Sequence, residues 1–203
     1  GLTSAPEMII VKNRTNAANW EVYHSAIGNT KHLRLNQNFA EATSSTRWND
    51  TTPTNSLFTL GTNGGVNENA VNYIAYCFHS VTGYSKFGSY TGNGNATGTV
   101  VTTGFRPAFL LLKNTSASAH WYLYDSVREP NDSKGEALWP NRANGNTSYY
   151  ERLKFTDTGF QLLSTDTDMN GNGTKYVYMA FADNREYAYY LDQSGNNNDW
   201  ATS

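Results

Sequence analysis

The sequence predicts an all-β protein made of two tandem, related antiparallel β-sandwich modules of the jelly-roll type. Three observations lead to this fold class: an internal repeat at about 100 residues, short apolar runs with the two-residue period of strands, and Gly- and Asn-rich turns between those runs. No window of about eleven or more residues has the three- and four-residue apolar spacing of an amphipathic helix. Sheets rather than helices are therefore expected to build the core.

The internal repeat is the strongest signal in the chain. The segment Pro107–Asp125 (PAFLLLKNTSASAHWYLYD) repeats Pro6–His24 (PEMIIVKNRTNAANWEVYH) at an offset of 101 positions (107 minus 6). The identical pairs are Pro6 and Pro107, Lys12 and Lys113, Asn13 and Asn114, Trp20 and Trp121, and Tyr23 and Tyr124. Later pairs are Leu35, Asn38 and Ala40 with Leu138, Asn141 and Ala143 at 103, Phe58 and Leu60 with Phe160 and Leu162 at 102, and Asn72–Phe78 with Lys175–Phe181 at 103. Because the offset changes only where loops are expected, the pattern indicates one β-module used twice.

Short apolar or alternating runs bounded by turns are predicted to be strands. They are Met8–Lys12, Trp20–His24, His32–Leu35, Leu57–Leu60, Ala70–Phe78, Ser85–Thr91, Thr99–Thr103, Phe109–Lys113, Trp121–Asp125, Leu138–Asn141, Arg152–Phe155, Phe160–Ser164 and Tyr176–Ala182. Trp20 and Trp121 stand at equivalent strand positions and are predicted core residues. Asn13 and Asn114 each end a strand before a hairpin loop, and each is expected to hydrogen-bond its own turn.

The repeat divides the chain into module 1, residues 1–82, and module 2, residues 83–203, which includes a C-terminal extension. Ser85–Thr91 and Thr99–Thr103 open module 2 and have no counterpart in module 1, so module 1 is predicted to lack its opening strands. An exposed sheet edge invites a strand from another chain. We hypothesise that the run Glu186–Asp192 (EYAYYLD) completes the sheet of a neighbouring module.

The composition argues against several classes of protein. The net charge is −2 and 16% of the residues are charged, whereas a nucleic-acid-binding surface requires clustered Lys and Arg. No run approaches the roughly 18 apolar residues of a membrane helix, and no signal-peptide pattern opens the chain, so membrane insertion is not predicted. The single cysteine, Cys77, lies in an apolar strand-like run and is predicted to be a buried, unreactive thiol.

One loop matches the opening of a calcium-binding motif. Asp166, Asp168 and Asn170 stand at alternate positions before Gly171, and oxygen ligands at that spacing can wrap a hard cation. Calcium is therefore the candidate cofactor, and no other is indicated. A plain polar hairpin loop is the favoured interpretation, because the twelfth position is Val177, where an EF-hand requires a bidentate Glu, and because strands rather than helices flank the segment.

No catalytic constellation is readable, so no catalytic residue is predicted and the chain is not expected to be an enzyme. The histidines, His24, His32, His79 and His120, show no zinc-ligand spacing. Carboxylates are present, but nothing in their spacing selects the pair that a glycosidase needs. These carboxylates are Glu21, Asp125, Glu129, Glu136 and Glu151. Neither a nucleophile elbow nor a phosphate-binding loop occurs.

Loop aromatics are the candidate ligand-binding residues. Trp48, Trp139, Tyr149 and Tyr150 lie in polar, Asn-rich surroundings. Aromatic faces stack on the apolar faces of sugar rings, and neighbouring Asn and Asp side chains can hydrogen-bond to hydroxyl groups, so the pattern favours glycan recognition. The alternative interpretation is that these rings cap the core between the sheets.

The order of motifs in the second copy carries a family resemblance. The motifs are Gly104–Pro107 (GFRP), Lys113, Trp121, Asp125–Arg128 (DSVR), Gly159-Phe160, Tyr176–Phe181 (YVYMAF) and the C-terminal Asp192–Trp200 (DQSGNNNDW). This order resembles repeat modules in virion proteins of marine tailed phages. The resemblance implies a tail-fibre-like or other virion-surface part with concanavalin-like (LamG-like) sandwiches, and it supplies no catalytic residues. The first copy departs from the pattern, because His24 stands in place of Asp125 and Ile27 in place of Arg128.

Together these observations predict a structural and adhesive module of a phage virion surface or tail-fibre protein. Its expected location is the virion, outside the cell. The expected partners are other copies of the chain, other virion proteins and host surface glycans, with no role for nucleic acid. A free-standing, lectin-like carbohydrate-binding module is the alternative function, and a glycan-cleaving enzyme is the third.

Overall fold

The computed structural model describes residues 2–128, 135–143, 147–149 and 152–183, and the structural statements below concern these residues. The strands are β1 (Met8–Asn13), β2 (Trp20–His24), β3 (Lys31–Arg34), β4 (Ala42–Thr43), β5 (Tyr73–Phe78), β6 (Ser85–Thr91), β7 (Val100–Thr102), β8 (Pro107–Asn114), β9 (Trp121–Asp125), β10 (Gly135–Ala137), β11 (Thr147–Tyr149), β12 (Leu153–Thr156), β13 (Gly159–Leu162) and β14 (Lys175–Ala182). The helices are single turns, α1 (Ser45–Trp48) and α2 (Thr167–Asn170).

The prediction of a mostly β protein with antiparallel sheets is confirmed. A five-stranded sheet has the order β4-β3-β2-β1-β5, and a four-stranded sheet has the order β6-β14-β8-β9. A three-stranded sheet, β12-β13-β7, and the β10-β11 pair complete the described strands. Both helices are four residues long, too short to produce the apolar periodicity that marks a helix in a sequence.

Most of the predicted strands form, and one does not. Leu57–Leu60 has no strand structure, although its repeat partner lies in β13. In the second half, β13 pairs with β7 and β12. Among the described residues, the first half contains no equivalent of β7 or β12, so the segment 57–60 has no strand to pair with and remains irregular. The predicted strand Leu138–Asn141 is reduced to a single bridge between Leu138 and Leu123.

Strand register shows the repeat directly. In the first half β1 lies between β2 and β5, and Met8 stands opposite His24 and Phe78. In the second half β8 lies between β9 and β14, and Phe109 stands opposite Asp125 and Phe181. The two halves therefore build the same three-stranded unit in the same register. This agreement matters because a slip of one residue would turn every side chain of a strand to the other face of the sheet.

The turns repeat as well. The Asn13 Oδ1 accepts hydrogen bonds from the backbone N–H groups two and three residues later, at 2.9 and 2.8 Å. The Asn114 Oδ1 does the same, at 2.8 and 3.0 Å. The prediction that each Asn bonds its own turn is thus confirmed. Likewise, the hydroxyl groups of Tyr73 and Tyr176 donate to the carbonyls of Gly64 and Thr167, at 2.7 and 2.6 Å.

One detail of the repeat was wrong. Leu35, Asn38 and Ala40 were paired with residues 103 positions later, but the backbone N–H of Trp20 bonds to the side chain of Asn36 and that of Trp121 to Asn141. The true offset here is 105 (141 minus 36). A hydrogen bond made by the same type of side chain to the start of the same strand identifies equivalent residues more reliably than a short stretch of identical residues.

Hydrophobic packing arranges the sheets in layers. One cluster lies between the four-stranded and three-stranded sheets and is rich in aromatic rings, among them Tyr124 and Phe160. A second cluster lies on the opposite face of the four-stranded sheet, where Leu111 and Trp121 meet Met8, Ile10 and other residues of the five-stranded sheet. The four-stranded sheet is therefore buried on both faces, with part of the first half on one side.

The outer face of the five-stranded sheet is covered by a loop instead of a sheet. Ile9, Val11 and Tyr23 pack there against Trp48 and Val66, which belong to the long connection between β4 and β5. Polar bonds also join the two halves: Trp121 Nε1 donates to the Arg34 carbonyl at 2.8 Å. The boundary between residues 82 and 83 stays a prediction, since the second cluster draws on both sides of it. Among the described residues, no helix has the length and apolar character needed to cross a membrane.

Candidate functional site

Trp48, predicted for glycan binding, is a core residue in the structure. It is 2% exposed and packs edge-on against Tyr23, with ring centroids 5.9 Å apart. Its Nε1 donates to the Lys31 carbonyl at 3.0 Å. The polar residues around it in the sequence form the loop that covers the sheet, and the indole is the apolar anchor beneath that loop. A sugar could reach its face only if the loop moved away.

Trp139 is buried in the other half, at 5% exposure, within the cluster between the two sheets. The Arg142 guanidinium stands over its ring, 4.5 Å from the centroid. Trp48 and Trp139 thus do not come together in one site, and both occupy core positions. The side chain of Tyr149 and the whole of Tyr150 lie outside the described residues, so their predicted glycan role stays a prediction.

The predicted calcium ligands lie in a network of protein contacts. Asp166 caps α2 by accepting from the Asp168 N–H at 2.8 Å, and it forms an ion pair with Arg152 at 2.6 Å. Asp168 accepts from the Tyr122 hydroxyl at 2.7 Å. This contact and burial together raise the pKa of Tyr122, with burial the larger cause. The calcium site stays a prediction, and a cation there would compete with a guanidinium and a phenol.

Asn170 is fully buried and joins three segments. Its Nδ2 donates to Ser164 O at 2.8 Å and to Asn93 Oδ1 and Asn95 O, both at 3.0 Å. It therefore holds the loop after β6 to the α2 turn. Within the described ranges, no group of three or more His, Cys, Asp and Glu side chains is placed to hold a metal ion.

A cluster of buried charged side chains lies in the first half, around Glu21. This carboxylate is 2% exposed and accepts from Arg47 Nε at 2.7 Å and from Arg47 Nη2 at 3.4 Å. Arg34 Nε lies 3.4 Å from the same carboxylate without hydrogen-bond geometry, and His32 Nε2 lies at 4.0 Å. Two guanidinium groups thus share one carboxylate, which leaves an excess of positive charge.

A cavity of about 120 Å³ opens beside this cluster. Its basic lining residues are His32, Arg34 and Arg47, and its apolar ones are Leu33, Phe39, Ala40 and Ala42. The Glu21 carboxylate is not among the lining residues. The ring of Phe39 is 53% exposed and forms part of the wall. The cavity therefore has a basic floor and an exposed aromatic wall.

His32 is neutral at physiological pH. Burial lowers the pKa of His32 to about 4, and the positive charge of Arg47 lowers it further, while Glu21 and the Ala42 backbone act in the opposite direction. The His32 Nδ1 is buried and makes no hydrogen bond of normal geometry within the described part of the chain. A buried polar atom of this kind is uncommon in native proteins and calls for an explanation.

Cys77 lies on β5 and is half-buried, less than the buried thiol that was predicted, and this burial raises the pKa of its thiol. A raised pKa keeps the sulfur protonated and weakly nucleophilic, consistent with an unreactive thiol. The Asp125–Arg128 motif is a local turn: Asp125 accepts from the Arg128 backbone N–H at 2.9 Å and pairs with its guanidinium. In the first half, His24 Nδ1 takes the same turn position and accepts from the Ala26 N–H at 3.2 Å.

His24 also lies between the two halves, where its Nε2 is 3.3 Å from the Tyr178 carbonyl. Burial lowers the pKa of His24 to about 4. In the unfolded chain the pKa of a histidine is near 6.5. Between pH 7 and pH 4 the unfolded state therefore binds a proton at this residue and the folded state does not, so the free energy of unfolding is expected to fall as the pH drops through this range. The lowered pKa of His24 alone corresponds to a loss of about 3 kcal/mol in the free energy of unfolding.

Urea unfolding of the wild type and of His24→Asn, measured at a series of pH values, tests this expectation. Asparagine can accept from the turn but takes up no proton. The variant should therefore lose part of the acid sensitivity, and an unchanged pH dependence would contradict the assignment. Burial also lowers the pKa of His32, so this residue accounts for part of the acid sensitivity that remains in the variant.

The edge of the five-stranded sheet is the other notable surface. Among the described residues, no strand pairs with the outer side of β5, and Tyr76, at its centre, is 42% exposed. Its equivalent β14 pairs with β6 on that side through Lys175–Phe181. The predicted partner segment, Glu186–Asp192, lies outside the described residues.

Sequence reasoning missed the Glu21 cluster, because Glu21 and Arg47 are 26 positions apart along the chain and meet only in the fold. One signal was present. Glu21 alternates with Trp20 and Val22, so it shares a strand face with Tyr23, and a carboxylate beside a buried ring needs a buried cation.

Comparison with known protein families identifies a family for most of the chain. A family model described as a domain of unknown function (DUF7483) matches residues 1–185. No curated protein and no solved structure matches the chain.

Proposed function

Because this chain belongs to the DUF7483 family of domains of unknown function, we propose its role from its own residues: a structural and adhesive module of a virion surface, of the tail-fibre type, that assembles by strand addition at β5. Its partners are other copies of the chain or other virion proteins. The proposal assigns no reaction to the chain. It takes the two halves as tandem modules of the concanavalin-like sandwich kind, and the shared strand register supports their origin as one repeated unit.

The observation that carries the proposal is the outer edge of β5, which pairs with no strand among the residues that the structure describes. The carbonyls of Asn72 and Phe78 bond to the segment of β1, at 2.8 Å each, so the even-numbered residues between them direct their backbone groups inward. By the alternation of an antiparallel ladder, the backbone groups of Tyr73, Ala75 and Cys77 point outward. A row of unpaired N–H and C=O groups is a template for another strand.

The geometry of β14 defines which strand fits. Tyr176 stands opposite Tyr90 of β6, and their rings stack with centroids 4.9 Å apart. Tyr73 is the equivalent of Tyr176, so an aromatic residue at the corresponding position of an added strand can stack on it. Gly88 of β6 has no room for a side chain, because the Tyr178 hydroxyl lies 2.7 Å from where its Cβ would be. The residue equivalent to Tyr178 is Ala75, which removes that restriction.

Backbone amide exchange tests the proposal. Two synthetic peptides, Ser85–Thr91 and Glu186–Asp192, are added to the full chain, and the exchange rates of the Tyr73, Ala75 and Cys77 amides are followed by NMR. At least one peptide is expected to slow exchange at these three positions and not at the inward-facing ones. Unchanged rates with both peptides would contradict strand addition.

Ala75→Pro is the matching variant, since proline removes an outward N–H and is tolerated on an edge strand. It should abolish the peptide effect with a small change in melting temperature. Ala75→Thr, which keeps the N–H, serves as the control and should retain the effect. If the proline variant still protects Tyr73 and Cys77, the peptide does not pair with this edge.

A further inference from the structure

The cavity beside Glu21 has the features of an anion site. The two charged side chains in its wall, Arg34 and Arg47, are both cations, and they outnumber the single carboxylate behind them. The nearby Glu41 is already paired with Lys31. Guanidinium groups bind carboxylates and sulfates through parallel N–H donors, which makes arginine the usual residue at such sites.

Two buried side-chain nitrogens in the wall make no hydrogen bond of normal geometry within the described part of the protein. His32 is 5% exposed, and its Nδ1 is one of them. The other is Arg34 Nε, which lies 3.4 Å from the Glu21 carboxylate without being aligned with it. With its proton on Nδ1, a neutral imidazole can donate into the cavity. Buried donors without partners cost stability, so an acceptor in the cavity would remove a cost that the fold otherwise carries.

The size and rim of the cavity narrow the ligand class. A volume of about 120 Å³ has room for several water molecules, and hence for one small oxyanion, but not for a sugar ring as well. The rest of the ligand must lie over the rim, where the ring of Phe39 is 53% exposed. An exposed aromatic face stacks on the apolar face of a sugar ring.

We propose that this cavity binds the oxyanion of an acidic sugar, with Arg34 and Arg47 facing the carboxylate or sulfate group and Phe39 stacking on the ring. The site does not depend on strand addition, because β3, which carries His32 and Arg34, is separated from β5 by β2 and β1. Glucuronate is the probe for a sugar carboxylate, inorganic sulfate for a free oxyanion, and glucose for an uncharged sugar.

The test follows the side-chain Nε–Hε signals of Arg34 and Arg47 by NMR on the full chain at constant ionic strength. Glucuronate is expected to move both signals in a saturable way, and glucose should leave them unchanged. If neither glucuronate nor sulfate moves them, the anion site is ruled out. If sulfate alone binds, or if Phe39→Ala leaves glucuronate affinity unchanged, the cavity holds a free oxyanion and the assignment to a sugar is wrong.

Variants separate a binding role from a purely structural one. Arg34→Gln should weaken glucuronate binding about tenfold or more, while Arg14→Gln, an exposed arginine that does not line the cavity, should leave it unchanged. Glu21→Gln removes the competing negative charge and should tighten binding several-fold even though it destabilises the fold. A purely structural network predicts the reverse, and weaker binding in a folded Glu21→Gln protein would overturn the proposal.

Discussion

Replacing Trp121 with alanine is expected to lower the free energy of unfolding by about 3–5 kcal/mol, which is the usual cost of removing a large buried aromatic residue. The side chain is 1% exposed and lies in the cluster that joins the two halves. Its Nε1 also donates to the Arg34 carbonyl, and this hydrogen bond between the halves would be lost. Urea unfolding monitored by circular dichroism measures the loss.

Trp20→Ala is the matched control, because Trp20 occupies the equivalent position in the first half but is only partly buried. It should cost clearly less than Trp121→Ala. Equal losses for the two variants would mean that Trp121 does not hold the halves together. The comparison uses the repeat itself, since strand, register and residue type are the same at both positions.

The second large effect is expected from Arg47→Met. Its side chain is 8% exposed and pairs with the Glu21 carboxylate, which is 2% exposed. Removing one member of a buried ion pair leaves an unpaired charge and costs about 3–5 kcal/mol. Methionine keeps most of the volume, so the loss reports charge rather than a cavity. Arg34 lies close enough to supply part of the missing charge, which places the expected value at the lower end of that range.

The double change Arg47→Met with Glu21→Gln checks the cause of that loss. Without the carboxylate there is no unpaired charge, so the double variant should recover a large part of the lost stability. The thermal midpoints of the wild type, both single variants and the double variant, taken together, give the coupling between the two residues. No recovery in the double variant would indicate that Arg47 acts through packing instead.

The sequence was sufficient for the strands that carry the repeat. Runs such as MIIVK and FLLLK are short, β-branched or apolar, and bounded by turns, and both formed strands in the expected place. The short strands β4, β10 and β11 were missed, because two or three residues give no period to detect. Leu57–Leu60 has a strand-like composition but no neighbouring strand to pair with. Whether a neighbouring strand is present depends on the whole fold and cannot be seen in the segment itself.

Trp48 shows why candidate sites are harder to predict than strands. Its sequence neighbours are polar, which suggested an exposed ring, yet the polar residues face solvent and the indole faces the sheet. Burial of a loop residue depends on what the loop covers, and that depends on residues such as Ile9 and Tyr23 far away in the chain. The cluster of Glu21 with Arg34 and Arg47 has the same origin: its chemistry arises from three separate segments.

Because the four-stranded sheet is buried on both faces, the second half depends on the first half to cover one of them. Phe87, Leu111 and Val177 direct apolar side chains away from their own half, towards the sheet of the other. The second half alone would expose this apolar face to water, as an uncapped repeat in a solenoid does. The first half ends the stack differently, with a loop folded over its outer face. The loop therefore closes the stack on that side, and a truncation that removed the first half would leave a fragment with an exposed apolar face.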